Sequence, residues 1–297
     1  MSKKLLAAAA AATLLSPAFA VAEESPHGFS ANVGLFSQYV FRGLAQTNEE
    51  PAIQGGFDYS YAASQLPVPV TFYVGTWGSN ISWLQDANLY SGGGSLELDI
   101  YGGVKGNFGK TDFTWDVGYL YYWYPGDTPA AVPPAYFIDA DTQEIYAALG
   151  WKWFTVKYSY SLNDTFGVDD AKGTNYWDFK VSYPVADSGV TLGAHYGIQT
   201  YDGNDPRNLF GVSNDDLFSY KDWSLSVAYD LGKAIPKLQG YELGAMYTDT
   251  DVESTCAYGS ITDIGFLAGP FGAGNCTGIF PKNNADSQFV VWFKGSF

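Results

Sequence analysis

Histidine is the side chain best able to move protons near neutral pH, and this chain of 297 residues carries two, His27 and His195. A hydrolytic site on either would need a nucleophile, an orienting third group and an oxyanion site. Ser159, Ser161 and Ser182 are on offer to His195, but no motif singles one out. His195 therefore reads as a polar residue of the fold, and no catalytic residue is assigned. The two cysteines, Cys256 and Cys276, have no histidine beside them to make a metal cluster. In an exported chain an even cysteine count points to a disulfide, and closing a loop of this size stabilises by about 3 kcal/mol in the chain-entropy model. Asp202, Asp205, Asp215, Asp216, Asp249, Asp251 and Glu253 match no calcium-loop spacing. Neither a metal nor a cofactor is expected.

The larger chemical resource is charge held at every second position. Glu97 and Asp99 alternate with Leu96, Leu98 and Ile100; Thr114 and Asp116 alternate with Phe113, Trp115 and Val117; Asp178 and Lys180 alternate with Trp177, Phe179 and Val181. Period two is the signature of a strand with one apolar and one polar face. About twelve such segments run near 28–42, 51–63, 68–81, 93–108, 111–125, 144–153, 154–163, 174–185, 190–202, 220–232, 241–250 and 287–297. On the face opposite the apolar one, parity places Arg42, Asp58, Glu97, Asp99, Lys105, Asp116, Glu144, Lys152, Lys157, Asp178, Lys180, His195, Glu242 and Lys294. Mixed signs allow a transverse field across a narrow polar channel or a salt-bridge network that closes it. Arg42, at the end of the first segment beside Gly43, would anchor a loop or meet an anionic solute at the mouth. Asp58 is too far along its segment to be its partner.

Strands with one polar and one apolar face need a solvent on each side. Residues 1–22 read as a signal peptide: Lys3 and Lys4, an apolar run from Leu5 to Leu15, and small residues at Ala18, Ala20 and Ala22, with cleavage after Ala20 or Ala22. The apolar run is shorter than the roughly 20 residues a helical span needs. Residues 23–297 would then form one all-β domain of formal charge −18, a charge that disfavours nucleic acid as a partner. An even strand number returns both ends to one side, and the connections alternate short and long, as in a closed antiparallel up-and-down barrel of an outer membrane. Trp123, Tyr124, Trp151, Trp153, Trp177 and Trp223 fall near segment ends, where aromatic girdles lie. Phe289, Val291, Phe293 and Phe297 share a face of the last segment, the pattern of a terminal strand read by the barrel-assembly machinery.

Four strings carry a resemblance: SQYVFRG at 37–43 with AQT at 45–47, QGGFDY at 54–59, YVGTWGSN at 73–80 and ELDIYGG at 97–103, with EIYAALGW from Glu144 as an echo. They resemble the proteobacterial Gcw_chp, or TorF-family, porins, and imply an outer-membrane barrel with a porin role but no known solute. The chain departs from that pattern at Gln38, where an acid is common, and in long insertions at 126–143, 203–219 and 251–286. The expected function is diffusion of small hydrophilic solutes or ions, with mild cation preference from acidic loops. Outer-membrane lipid and the assembly machinery are the expected partners. A plugged structural or adhesive barrel is the alternative, and a barrel lipid hydrolase a third reading.

Overall fold

The computed structural model describes residues 25–127, 138–204, 212–252, 255–262, 264–267 and 274–297; the expected signal peptide, Asp205 and Glu253 lie outside them. Twelve long strands form the wall. They are β1 (His27–Phe36), β2 (Ala52–Ala63), β3 (Val70–Asn80), β4 (Leu96–Asn107), β5 (Phe113–Trp123) and β6 (Thr142–Trp151), followed by β7 (Phe154–Ser161), β8 (Asn175–Pro184), β9 (Val190–Thr200), β10 (Tyr220–Asp230), β11 (Tyr241–Thr250) and β12 (Gln288–Ser296). Every ladder is antiparallel between consecutive strands. β1 pairs with β2 from His27↔Tyr61 to Phe36↔Ala52 and with β12 from Asn32↔Ser296 to Phe36↔Trp292. That double pairing closes the barrel and leaves no edge.

The faces sort as the alternation requires. Phe29, Phe57 and Phe289 stand out from the wall at 72%, 70% and 62% exposure, with Val33, Val74, Leu149 and Leu225 in the same outer rows. An apolar belt outside and polar rows inside suit a barrel that crosses a bilayer. Phe289, Val291, Phe293 and Phe297 all lie on this outer face. Trp123, Trp151, Trp153, Trp177 and Trp223 are also exposed. Tyr124 is not: one residue beyond β5 it keeps the inward parity of Tyr122, opposite to Trp123, and packs edge-on against Trp83 at 5.7 Å.

Connections at one end are short, such as the two residues 152–153 between β6 and β7; those at the other end are long. The long ones fold over and into the mouth. They build two apolar clusters there, one around Tyr39, Trp77, Leu84, Tyr90, Tyr122 and Tyr124 and one around Val168, Tyr201, Phe218, Tyr220 and Tyr258. The hydrophobic core of this chain is thus at the mouth, not along the barrel axis.

The first strand is shorter than its alternation suggests. β1 ends at Phe36, and the Ser37 hydroxyl accepts the Val291 N–H at 3.0 Å, where the side chain takes the place of a ladder carbonyl. The chain then enters the barrel mouth as a small hairpin, Val40–Phe41 paired with Leu44–Ala45. Arg42 and Gly43 make its turn at φ 47° and 79°. Two successive positive φ values are the geometry of the tightest hairpins. Glycine adopts it freely, whereas an arginine there costs about 1 kcal/mol.

Candidate functional site

What offsets that strain lies at the tip of the Arg42 side chain. Nη2 donates to both carboxylate oxygens of Glu144 at 2.8 Å, and Nη1 donates to Gln199 Oε1 at 2.9 Å. The guanidinium also lies over the Tyr176 ring at 4.3 Å and the Phe41 ring at 4.9 Å. Exposure is 7% for the Arg42 side chain and 2% for Glu144. Burial alone would lower the arginine pKa, but the Glu144 carboxylate, with Tyr122 and Tyr176, outweighs it and pushes the pKa up. The ion pair therefore ties a hairpin from the β1–β2 connection to β6 and β9, across the mouth. Arg42 does not end a strand, as its parity suggests; it is the tip of a hairpin seated in the mouth.

Behind the tip, Tyr39 holds the hairpin to a third strand by donating to Glu97 Oε1 at 2.7 Å. Burial, with the charges of Glu97 and Asp99, drives the Tyr39 pKa well up, so the phenol keeps its proton and its donor role. The hairpin is also fixed to the last connection, through Ala45 N–H to the Asn284 carbonyl at 2.8 Å.

The remaining charged residues form bands on the wall. On β8 to β10, Asp178 accepts from Lys180 at 2.6 Å and contacts His195 Nδ1 at 2.9 Å. His195 Nε2 meets Asp222 at 2.7 Å, and the Tyr176 hydroxyl donates to Asp222 at 2.8 Å. Both ring nitrogens of His195 are thus engaged by carboxylates. On β11 and β12, Lys294 pairs with Glu242 at 2.9 Å, and Trp292 Nε1 donates to the same carboxylate. Asp58 accepts from Tyr101 at 2.7 Å and Asp116 from Tyr73 at 2.6 Å. Lys105 and Lys157 sit over the Tyr73 and Tyr146 rings at 5.1 and 4.0 Å, within cation–π range. Most of these charges are therefore satisfied locally, as a network. Asp99 is an exception, since its Oδ1 is buried without a hydrogen-bond partner.

Lys152 does not line the lumen. It occupies the two-residue turn between β6 and β7 at φ 52° and is 44% exposed, 4.0 Å from Asp112. Parity counted through Trp151 runs past the end of the strand. Asp222, conversely, belongs to the lumen without having been singled out in the sequence, although it shares the parity of Ser224 and Ser226. Among the inward tyrosines, Tyr101 shares the parity of Glu97 and Asp99, whereas Tyr73 and Tyr146 were not singled out. Tyr73, Tyr101 and Tyr146 lie over Gly103, Gly75 and Gly118 of the neighbouring strands. A Gly–Tyr match across a ladder is visible only once the register is known.

In the last connection, Cys256 lies in the helical turn Thr255–Tyr258, and Cys276 lies in a short strand paired with Ile264–Leu267. No described cysteine is free.

A family model described as a bacterial protein of unknown function (Gcw_chp) matches residues 20–268. No protein of curated function matches the chain. Among solved structures, the COG4313 outer membrane channel from Pseudomonas putida F1 shares 11% identity over 95% of this chain and 98% of that one, at a TM-score of 0.44. Omp33 from Acinetobacter baumannii shares 9% over 91% and 97%, at 0.38. OprD from Pseudomonas aeruginosa shares 11% over 91% and 66%, at 0.38. These likenesses are loose, and the fold rests on the strand pairing itself.

Proposed function

The chain belongs to the Gcw_chp family, and from that premise we propose that it is an outer-membrane channel of low conductance for small hydrophilic solutes or ions, obstructed by its own first connection. The observation that carries the reading is the charged interior of a closed barrel whose outer face is apolar. A barrel that served only to hold loops at a surface would have no need of acids and bases on ten of its inner strand faces, β2 and β4 to β12. Small barrels fill their interior with side chains and large ones leave an aqueous channel; twelve strands lie between those cases, and tyrosines laid against the wall instead of across the lumen support a narrow path. The signal peptide at 1–22, export through it and recognition of the terminal strand by the assembly machinery belong to the same proposal. Excess negative charge lies in the connections, so the path should prefer cations mildly.

A second reading, a plugged structural barrel acting through its long connections, is favoured by the near-complete burial of the Arg42–Glu144 pair. His195, held by two carboxylates, gives little support to a hydrolase. Planar-bilayer recording of refolded protein separates the first two readings. Discrete openings with a cationic reversal potential support the channel, whereas a silent bilayer with folded protein would leave the plugged barrel in its place.

A further inference from the structure

Two of the most deeply buried acids of the chain are not accounted for by this network. Glu97 and Asp99 lie two residues apart on the inner face of β4, at 1% and 5% exposure. Glu97 Oε1 takes the Tyr39 phenol, and Tyr124 stands against the same carboxyl group. Glu97 Oε2 and Asp99 Oδ1, however, have no hydrogen-bond partner. Buried carboxylate oxygens left this way are rare and call for an explanation, because an uncompensated buried charge is strongly destabilising.

The neighbouring cations do not reach them. Arg42 spends its forked donors on Glu144 and Gln199, and Lys157 lies over the Tyr146 ring. Glu144 and Lys157 are within electrostatic reach of Asp99. Three carboxylates, Glu97, Asp99 and Glu144, therefore face two cations, Arg42 and Lys157, and one negative charge remains over. The walls of the space are aromatic. Asp99 is flanked in register by Trp77 on β3 and Tyr122 on β5, and Tyr39 packs on Trp77 at 5.5 Å. Ring faces and phenol oxygens around a carboxylate pair with two unpartnered oxygens, Glu97 Oε2 and Asp99 Oδ1, are chemistry suited to a small positive ion. Among the described residues no three acids, histidines or cysteines converge as they would on a coordinated metal, which favours a single charge over a divalent ion.

We propose that Glu97 and Asp99 form a binding site for one small monovalent cation, an alkali ion or ammonium, enclosed between the hairpin plug and the β3–β5 wall. This goes beyond the channel reading and does not depend on it, since a bound ion would stabilise a closed barrel as well as a conducting one. An ion that binds only the folded state raises the melting midpoint in a saturable way.

The test is thermal unfolding of the full-length refolded protein, followed by tryptophan fluorescence. Sodium, potassium or ammonium chloride would be exchanged against N-methyl-D-glucamine chloride at constant ionic strength. The expected result is a saturable rise in midpoint with at least one of the small cations, absent in Asp99→Asn. In the bulky-cation salt Asp99→Asn should melt no lower than the parent, because it has lost an uncompensated charge. Superimposable midpoints in all salts would overturn the site and leave a proton shared between the two acids as the better account. A rise seen only with magnesium or calcium, or kept in full by Asp99→Asn, would overturn it too. Should Asp99→Asn fail to fold, Glu97→Gln and the cation series on the parent protein decide. Bilayer recordings report on conduction separately, so failure of one proposal does not read as failure of the other.

Discussion

Arg42→Ala is the substitution that weighs most on the plug. It removes both bonds to Glu144 and the one to Gln199, and it strands Glu144 at 2% exposure. Removing one partner of a buried ion pair costs about 3–5 kcal/mol, mostly through the charge left behind. At about 1.4 kcal/mol per factor of ten, the balance between seated and displaced hairpin shifts by about two to three and a half powers of ten. A plug seated in the parent protein should then be displaced often enough to register as longer and larger openings in single-channel recordings at fixed salt. Arg42→Ala combined with Glu144→Gln removes the stranded charge and should restore part of the closure, because what remains is the loss of a pair that roughly offsets its own desolvation. Alkaline pH offers a control. A raised arginine pKa means the latch contributes fully below the ordinary arginine value and is lost only above it, so the parent should show no opening transition up to about pH 11. Identical open probability and conductance in parent and Arg42→Ala, with both proteins folded, would refute the latch.

Three further outcomes are expected. Replacing Phe293 and Phe297 with Ser should sharply lower the fraction that reaches the outer membrane as a heat-modifiable barrel, since both lie on the lipid face of the closing strand; unchanged assembly would deny that strand its signal role. Cys256 and Cys276 should resist thiol labelling in folded exported protein until a reductant is added, and loss of both should leave barrel assembly intact. Two thiols freely labelled without reductant would dismiss the bond. Cation preference should fade between 0.1 and 1 M salt as the screening length falls from about 10 Å to about 3 Å, and should weaken when Asp215, Asp216, Asp249 and Asp251 become Asn; anion selectivity at a salt gradient would contradict the charge argument.

Alternation at period two placed all twelve strands, because a barrel with different solvents on its two faces writes that difference into every residue. It told on which side a charge lies but not at what height, and partners in a barrel are decided by height. Hence Asp178, Lys180 and His195 were all legible as inward, while their union with Asp222 waited on the register of two ladders. Errors cluster where strands stop. Tyr39 and Phe41 continue the period of β1, yet the Ser37 hydroxyl ends its ladder and the chain turns inward. Parity carries Lys152 one residue past the end of a strand in the same way, whereas Tyr124 keeps the inward parity of Tyr122. Arg42 at positive φ is a local conflict that a sequence cannot display, since nothing in the residue type favours it.

Wall and plug should therefore respond to substitution with opposite signs. The tyrosines of β3, β4 and β6 cover the wall instead of crossing the lumen, because each lies in the space a glycine leaves on the next strand. At Gly118, a Cβ would fall 2.5 Å from the Tyr146 ring and 2.8 Å from the Gly102 carbonyl. The carbonyl belongs to the ladder and cannot yield, so the ring must swing towards the axis and take Lys157, which rests on it at 4.0 Å, along with it. Overpacking of this kind costs about 1–3 kcal/mol. Gly118→Ala should consequently melt earlier than the parent and, measured in the Arg42→Ala background where the mouth is no longer blocked, should reduce the single-channel conductance. Arg42→Ala alone should raise it. If Gly118→Ala left the conductance of the unplugged channel unchanged, solute would not be passing along the β4–β6 wall, and the path would have to run past the inner face of β1 and β2, built of small side chains with Asp58 as its charge, where Gly28, Ser30, Asn32 and Gly34 face Ser60, Asp58, Gly56 and Gln54.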